Sequence, residues 1–348
     1  MATTFNFTVR AEDDQGAFAD RDFSINVRNT VVDRYMIIDS TDAYTSPDLE
    51  NWTKRSNQGG TAVNYGGGKW LITAGQSTNG LYRVSSDGVN FETRTISAPM
   101  IGATQWITNH DIVWNDGYWW VHCSVAGSQW TGYRYVLIRS SDGLTWESVI
   151  THAVSSAAPI NPTFHDGKVY LVFNGSIYAI DTTANPTTIT QFTPTLPTMA
   201  LGSGGISVYP PLRINGLWIL PRHSPSAYGN HYSADGINWS AGEVVGAPGS
   251  RSYNQTSYFN GVLFTQYTMT GSASVSGPLI SVDGKTWSMP NIGTSSAISF
   301  GNKSILFMAK GKVHLIVASI RRVSSDLGST WQEYVLPISA VTGFAMVR

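Results

Sequence analysis

Ser85-Ser86-Asp87-Gly88-Val89-Asn90-Phe91 is answered by Ser140-Ser141-Asp142-Gly143-Leu144-Thr145-Trp146, and again by Ser233-Ala234-Asp235-Gly236-Ile237-Asn238-Trp239 and Ser281-Val282-Asp283-Gly284-Lys285-Thr286-Trp287. Two variants extend the series. Ser324-Ser325-Asp326-Leu327-Gly328-Ser329-Thr330-Trp331 carries one more residue, and Ser46-Pro47-Asp48-Leu49-Glu50-Asn51-Trp52 lacks the glycine. Asp181-Thr182-Thr183-Ala184-Asn185 reads as a decayed copy. An aspartate followed by glycine lets a hairpin turn take positive φ cheaply, and the carboxylate can accept N–H bonds within the turn. The serine hydroxyl can tie the same loop, and the aromatic can pack back on the sheet as an anchor. Each copy therefore reads as a self-satisfied β-hairpin corner.

A second series is more regular. Apolar runs follow Gly67, Gly117, Gly167, Gly216, Gly261 and Gly311, at steps of 50, 50, 49, 45 and 50 residues. Each unit then holds two turns with β-rich runs on both sides, which makes four strands. In the unit containing Gly117 the expected strands are 111–114, 118–124, 133–139 and 145–150. A four-stranded antiparallel unit repeated at this period is the signature of a β-propeller. Six complete units fill roughly 61–339. Residues 35–54 supply only three strand candidates, and Gly343-Phe344-Ala345-Met346-Val347 can supply the fourth. The expectation is an all-β propeller of seven four-stranded blades, six being the alternative count, closed by its N- and C-terminal strands so that no edge stays open.

Composition agrees. Of 348 residues, 12% are aromatic and only 13% charged, about half the usual charged share. Such a chain can bury a large core and is not disordered. A formal net charge of −1 gives no electrostatic footprint for nucleic acid, and no apolar run is long enough to span a bilayer, so neither nucleic-acid binding nor membrane insertion is expected. Cys123 is the single cysteine, which rules out an intrachain disulfide. The N-terminus carries no export signal, so synthesis in the cytoplasm is expected.

The Ser-x-Asp-Gly-x-x-Trp phrase resembles the Asp-box, or bacterial neuraminidase repeat, of sialidase-like propellers, over about residues 40–340. The resemblance implies that the boxes sit on the outer rim and are structural. That role carries to Asp48 with Trp52, Asp87 with Phe91, Asp142 with Trp146, Asp235 with Trp239, Asp283 with Trp287 and Asp326 with Trp331. Catalysis does not carry over. The family's Arg-Ile-Pro signature is absent, Arg213-Ile214-Asn215 being the nearest match, and only six glutamates exist. Glu12 falls in the leader and Glu50 inside a box. Glu92, Glu147 and Glu333 directly follow box aromatics and suit exposed outer strands. Glu243 alone is a loose candidate, whereas a paired-carboxylate glycosidase needs two converging acids.

Residues 1–30 break the pattern and form a separate extension ahead of a propeller at 31–348. Phe5, Phe7 and Val9 alternate with polar residues, as do Phe23, Ile25 and Val27, across the loop Asp13-Asp14-Gln15-Gly16. This is an amphipathic hairpin, marginal alone, whose apolar face needs a cover. It resembles the last two strands of immunoglobulin- or cadherin-like domains found in bacteriophage structural proteins, which implies a docking tab for another virion protein.

The remaining polar residues give weaker signals. His110, His122, His165, His223, His231 and His314 have no metal-ligand spacing, and no nucleotide or cofactor motif appears, so no metal and no cofactor is expected. Trp106, Trp130, Tyr133, Arg222, His223 and Arg251 fall in loops or near strand ends, where they could stack on or bond a sugar at one mouth of the ring. The resulting expectation is a non-enzymatic virion protein of a bacteriophage tail, baseplate or fibre that presents a propeller to a neighbouring subunit or a host surface glycan. The alternative is a sialidase-like hydrolase or lyase acting on host surface polysaccharide.

Overall fold

The computed structural model describes residues 2–12, 14–28, 35–73, 80–96, 105–106, 111–126, 133–154, 163–165, 167–173, 176–181, 189–192, 207–208, 211–220, 222–223, 231–245, 251–259, 262–269, 276–288, 304–326 and 330–347. Among these residues every regular element is a strand. Each sequence unit forms its own antiparallel sheet. The unit at Gly117 pairs Asp111–Asn115, Tyr118–Ala126, Tyr133–Ser140 and Glu147–Val154 in that order, and Gln105–Trp106 extends the first strand. Equivalent ladders are Ala62–Gly66 to Glu92–Thr95, Thr163–His165 to Ile189–Phe192, Leu212–Ile214 to Ser240–Ala241, Arg251–Phe259 to Thr286–Ser288, and Ser304–Ala309 to Gln332–Val335. The fourth strand at Glu147 starts two residues later than the sequence suggests, because the N–H of Thr145 is held by the Asp142 carboxylate instead of a ladder.

The composite sheet joins the two ends of the chain. Gly343–Met346 pairs with Tyr35–Ile38, which continues to Ala43–Ser46 and Thr53–Arg55. Tyr35 faces Met346, and Ile38 faces Gly343. Thr342 reinforces the join, its amide bonding the Ile38 carbonyl at 2.7 Å and its hydroxyl the Gly60 carbonyl at 2.8 Å.

The core lies between sheets. Second strands such as Lys-Trp-Leu-Ile-Thr at 69–73 are buried on both faces, which explains their continuous apolar reading, while the outermost Glu92–Thr95 and Gln332–Val335 are mostly exposed. Leu71 and Tyr82 pack against Trp119 and Val121 of the next sheet. Trp120 and Leu137 meet Leu171 and Ile180, Tyr170 and Ile177 meet Leu220 and Trp239, and Ile219 meets Leu263 and Trp287. Ile280 then packs on Val313, Phe307 and Ile316 on Ile37 and Tyr44, and Ile38 on Trp70 and Ile72. The seams thus run from sheet to sheet and return to the first, which is a β-propeller.

The N-terminal segment is a separate two-stranded ribbon, Ala2–Glu12 with Phe18–Arg28. Its register sets Phe5 opposite Ile25 and Phe7 opposite Phe23, while Val27 faces Thr3 and Val9 faces Arg21. On the polar positions Arg10 forms an ion pair with Asp20 at 2.7 Å, and the Thr8 hydroxyl donates to Asp22.

Candidate functional site

Strand direction divides the ring into two faces. In the sheets that open at Ala62, Asp111 and Leu212 the first and second strands meet at a tight turn such as Asn115-Asp116-Gly117, and the third and fourth meet at the Asp-turn. Both turns lie at one end of the sheet. The connections between second and third strands, and between sheets, lie at the other.

The Asp-turns repeat one geometry. The serine hydroxyl donates to the aspartate Oδ1 at 3.1 Å (Ser46–Asp48), 2.8 Å (Ser85–Asp87), 2.9 Å (Ser140–Asp142), 2.8 Å (Ser233–Asp235), 3.0 Å (Ser281–Asp283) and 2.7 Å (Ser324–Asp326). The same Oδ1 accepts two amides two and three residues on, for example from Leu144 at 2.7 Å and Thr145 at 2.8 Å. In the longer copy the Thr330 amide reaches Asp326 at 2.8 Å. The copy without glycine closes the same way, with Leu49 at φ 72°. Anchor indoles complete two corners, Trp52 donating to the Leu49 carbonyl and Trp239 to that of Gly236.

These bonds stabilise the charged carboxylates. Amide bonds from Thr145 and Leu144 hold Asp142 down to about 2, and Thr330 does the same to Asp326. The Asn51 and Asn238 amides push Asp48 and Asp235 lower still. At Asp87 and Asp283 partial burial opposes the shift, and the turn amides outweigh it. A general acid needs a proton to give near neutral pH, so these aspartates are structural anions.

Three of the described glutamates are held in ion pairs. Glu147 pairs with Arg139, whose guanidinium lies 4.6 Å from the Tyr118 ring centre, and Glu333 pairs with Arg322 at 2.7 Å across the ladder. Glu92 pairs with Arg94 at 2.7 Å. Glu12 and Glu50 are exposed. Glu243, the loose catalytic candidate, begins an edge strand that pairs with Thr286–Ser288 on the outside of its sheet, away from the ring centre. Among the described residues no group of three His, Cys, Asp or Glu could hold a metal ion.

The described ligand candidates lie toward the opposite end of their strands. Gln105 pairs with Ala126, which also faces Tyr133, and Tyr133 faces Val154, so Tyr133 stands in the terminal row of one sheet and Trp106, opposite Val125, one row in. Arg222 and His223 follow the second strand Leu217–Leu220 of another sheet and pair with Val208 and Ser207 in a two-stranded sheet of their own. Arg251 opens the first strand of the sheet beyond it, opposite Met269, and the two-residue Arg222–His223 strand lies beside that strand. Trp130 lies outside the described residues.

Sequence reading missed one polar element on this face, the Asp39–Asp42 connection. Asp39 Oδ1 accepts the amides of Thr41 at 2.7 Å and Asp42 at 2.6 Å. Asp42 is buried, pairs with Lys54 at 2.7 Å and accepts the Asn57 amide at 2.9 Å; the Lys54 bond, then the amide, lower its pKa. The Asp-Ser-Thr-Asp spacing between two short apolar runs was the available signal.

No protein-family model matches the chain, and no curated protein matches it. Among solved structures, the chain is similar to the periplasmic gluconolactonase PpgL of Pseudomonas aeruginosa, with a TM-score of 0.55 at 8% identity over 90% of this chain and 99% of that one. The GH43 BlXynB protein of Bacillus licheniformis gives 0.38 at 13% identity over 75% of this chain, which spans 56% of that protein. An α-L-arabinanase of Cellvibrio cellulosa gives 0.36 at 12% identity over 79% and 89% of the two chains. At these identities the likeness is one of fold.

Proposed function

We propose that the chain is a carbohydrate-directed β-propeller that takes a surface polysaccharide on the face opposite its Asp-turns. The observation that carries this reading is placement: Trp106, Tyr133, Arg222, His223 and Arg251 all lie within two residues of strand ends on that face. Aromatic rings stack on sugar faces, and arginine and histidine bond hydroxyls or carboxylates. The acids of the Asp-turn face are engaged in holding their own loops, which supports the structural role of an Asp-box and leaves ligand contact to the other side.

We read the ring as seven-bladed. The four-strand ladders, the composite sheet and the cyclic order of the seams carry that reading, six being the other count.

Hydrolysis or elimination on the bound polysaccharide is the activity placed first, in keeping with the sugar chemistry named for the gluconolactonase of like fold. Incubation with a panel of neutral and acidic bacterial surface polysaccharides, followed by size-exclusion chromatography and detection of new reducing or unsaturated ends, tests it. Shortened chains support an enzyme. Retained, unshortened polysaccharide supports binding alone, and no retention of any member contradicts the proposal.

A second reading is a non-enzymatic bacteriophage virion protein. The engagement of the Asp-turn aspartates and of Glu92, Glu147 and Glu333 favours it, together with a ribbon at 1–30 whose register aligns Phe5, Phe7, Phe23 and Ile25. In that reading the ribbon docks on other virion proteins and the propeller meets the host glycan. Removing residues 1–30 then leaves a folded propeller that fails to enter particles, and unchanged incorporation contradicts it.

A further inference from the structure

The seam that closes the ring contains a buried histidine that no ligand reading uses. His314 lies in Lys312–Val317, only 3% exposed, and its ring stacks on Phe307 at 4.9 Å between centres and 11° between planes. Phe307 in turn stacks at 3.8 Å on Phe344 of the closing strand, and Phe344 lies 6.5 Å from Tyr35 in the same composite sheet. One aromatic column therefore crosses from the last repeat to the strand that joins the chain ends.

The histidine sits in this column as a neutral ring. Its Nε2 is 3.2 Å from the Ala309 carbonyl, which accepts and so fixes the proton on Nε2, while Nδ1 is buried without a partner. A second proton would place an unpaired cation there, at the cost of desolvating it. Burial first, then Arg321, Lys312 and Lys310, hold its pKa down to about 4. From the composite sheet Tyr35 and Tyr44 border the same cluster, and the acids Asp48 and Glu50 act on Arg321.

We propose that His314 makes ring closure acid-sensitive: protonation of Nδ1 breaks the column and releases Gly343–Met346 from Tyr35–Ile38. An opened seam hydrates the ring and restores an ordinary histidine. Acid then favours the open form by about tenfold per pH unit below the normal histidine range, until the closed form also takes the proton. The Asp-turn carboxylates stay ionised through this window, so they do not produce the same slope.

Hydrogen exchange of the wild-type protein from pH 7.5 to 4.5, corrected for intrinsic rates, tests the proposal. Protection at 343–346 and 35–38 is expected to fall by about tenfold per unit below pH 6, with little change at 169–172 in a distant sheet. His314→Phe keeps a stacked ring and is expected to abolish the slope. An equal slope in the variant, a flat wild-type profile, or equal loss at 169–172 overturns the proposal. Should His314→Phe fail to fold, NMR titration of the wild-type imidazole decides: a midpoint well below 6 upholds it, and one near 6.5 overturns it.

Discussion

The Lys69 ammonium of one sheet donates to the backbone carbonyl of Asp142 in the next, at 2.7 Å. Lys310 repeats the relation at the ring closure, reaching the Asp48 carbonyl at 3.0 Å. In both seams a lysine at a first-strand turn clasps the neighbouring Asp-turn, which also receives the Tyr82 hydroxyl at the Gly143 carbonyl in the former. Partly exposed charge-assisted bonds of this kind contribute about 0.5–1 kcal/mol. Lys69→Met and Lys310→Met should each lower unfolding stability by that amount in urea, and their effects should add because different seams are involved. A coupling of several kcal/mol between them would contradict independent clasps.

The turn backbone gives a sharper test. Gly143 has φ 71°, and a Cβ there would lie 3.3 Å from Trp119 Nε1. Gly143→Ala should cost about 1–2 kcal/mol, from left-handed strain with an added contact. Leu49 occupies the equivalent position at φ 72° while 1% exposed. Leu49→Gly relieves about 1 kcal/mol of strain but loses a buried side chain worth about 2–5, so a net loss is expected. Thermal denaturation of both variants checks the signs; stabilisation by Leu49→Gly would show that the residue serves the turn and not the core.

Acid dependence follows from the Asp-turns. Their folded pKa values lie below the unfolded carboxylate value, with Asp142 and Asp326 at about 2. Depressed acids stabilise the fold above the unfolded pKa near 3.9, and that contribution is lost as pH falls through the folded value. The resulting loss should occupy about pH 4 to 2 and should shrink in Asp142→Asn. Unfolding midpoints measured by circular dichroism at half-unit steps report it; an unchanged acid limb in Asp142→Asn would remove the turn from the acid response.

What was legible in the sequence depended on distance along the chain. Each Asp-turn closes its bonds within seven or eight residues, so Ser140, Asp142 and Trp146 could be read directly, and the three strand candidates in 35–54, one short of a full sheet, pointed to the strand at Gly343–Met346. The start of the strand at Glu147 was misplaced because the turn captures Thr145. Lys69 and Lys310 carried no signal, since their acceptors lie 73 and 262 residues away. The Asp39–Asp42 connection was missed because it lacks the glycine that marks the other turns. Trp106, Tyr133 and Arg222 recur at no fixed position of the repeat, so their shared face emerges only from strand direction.

The most direct test of a structural rim and an opposed ligand face is a glycan array run in parallel with thermal denaturation on Asp142→Asn and on the pair Tyr133→Ala and Arg222→Ala. Asp142→Asn should keep the wild-type glycan profile while its melting temperature falls; Tyr133→Ala with Arg222→Ala should lose the profile with its melting temperature little changed. Loss of binding by Asp142→Asn at unchanged melting temperature would contradict the account.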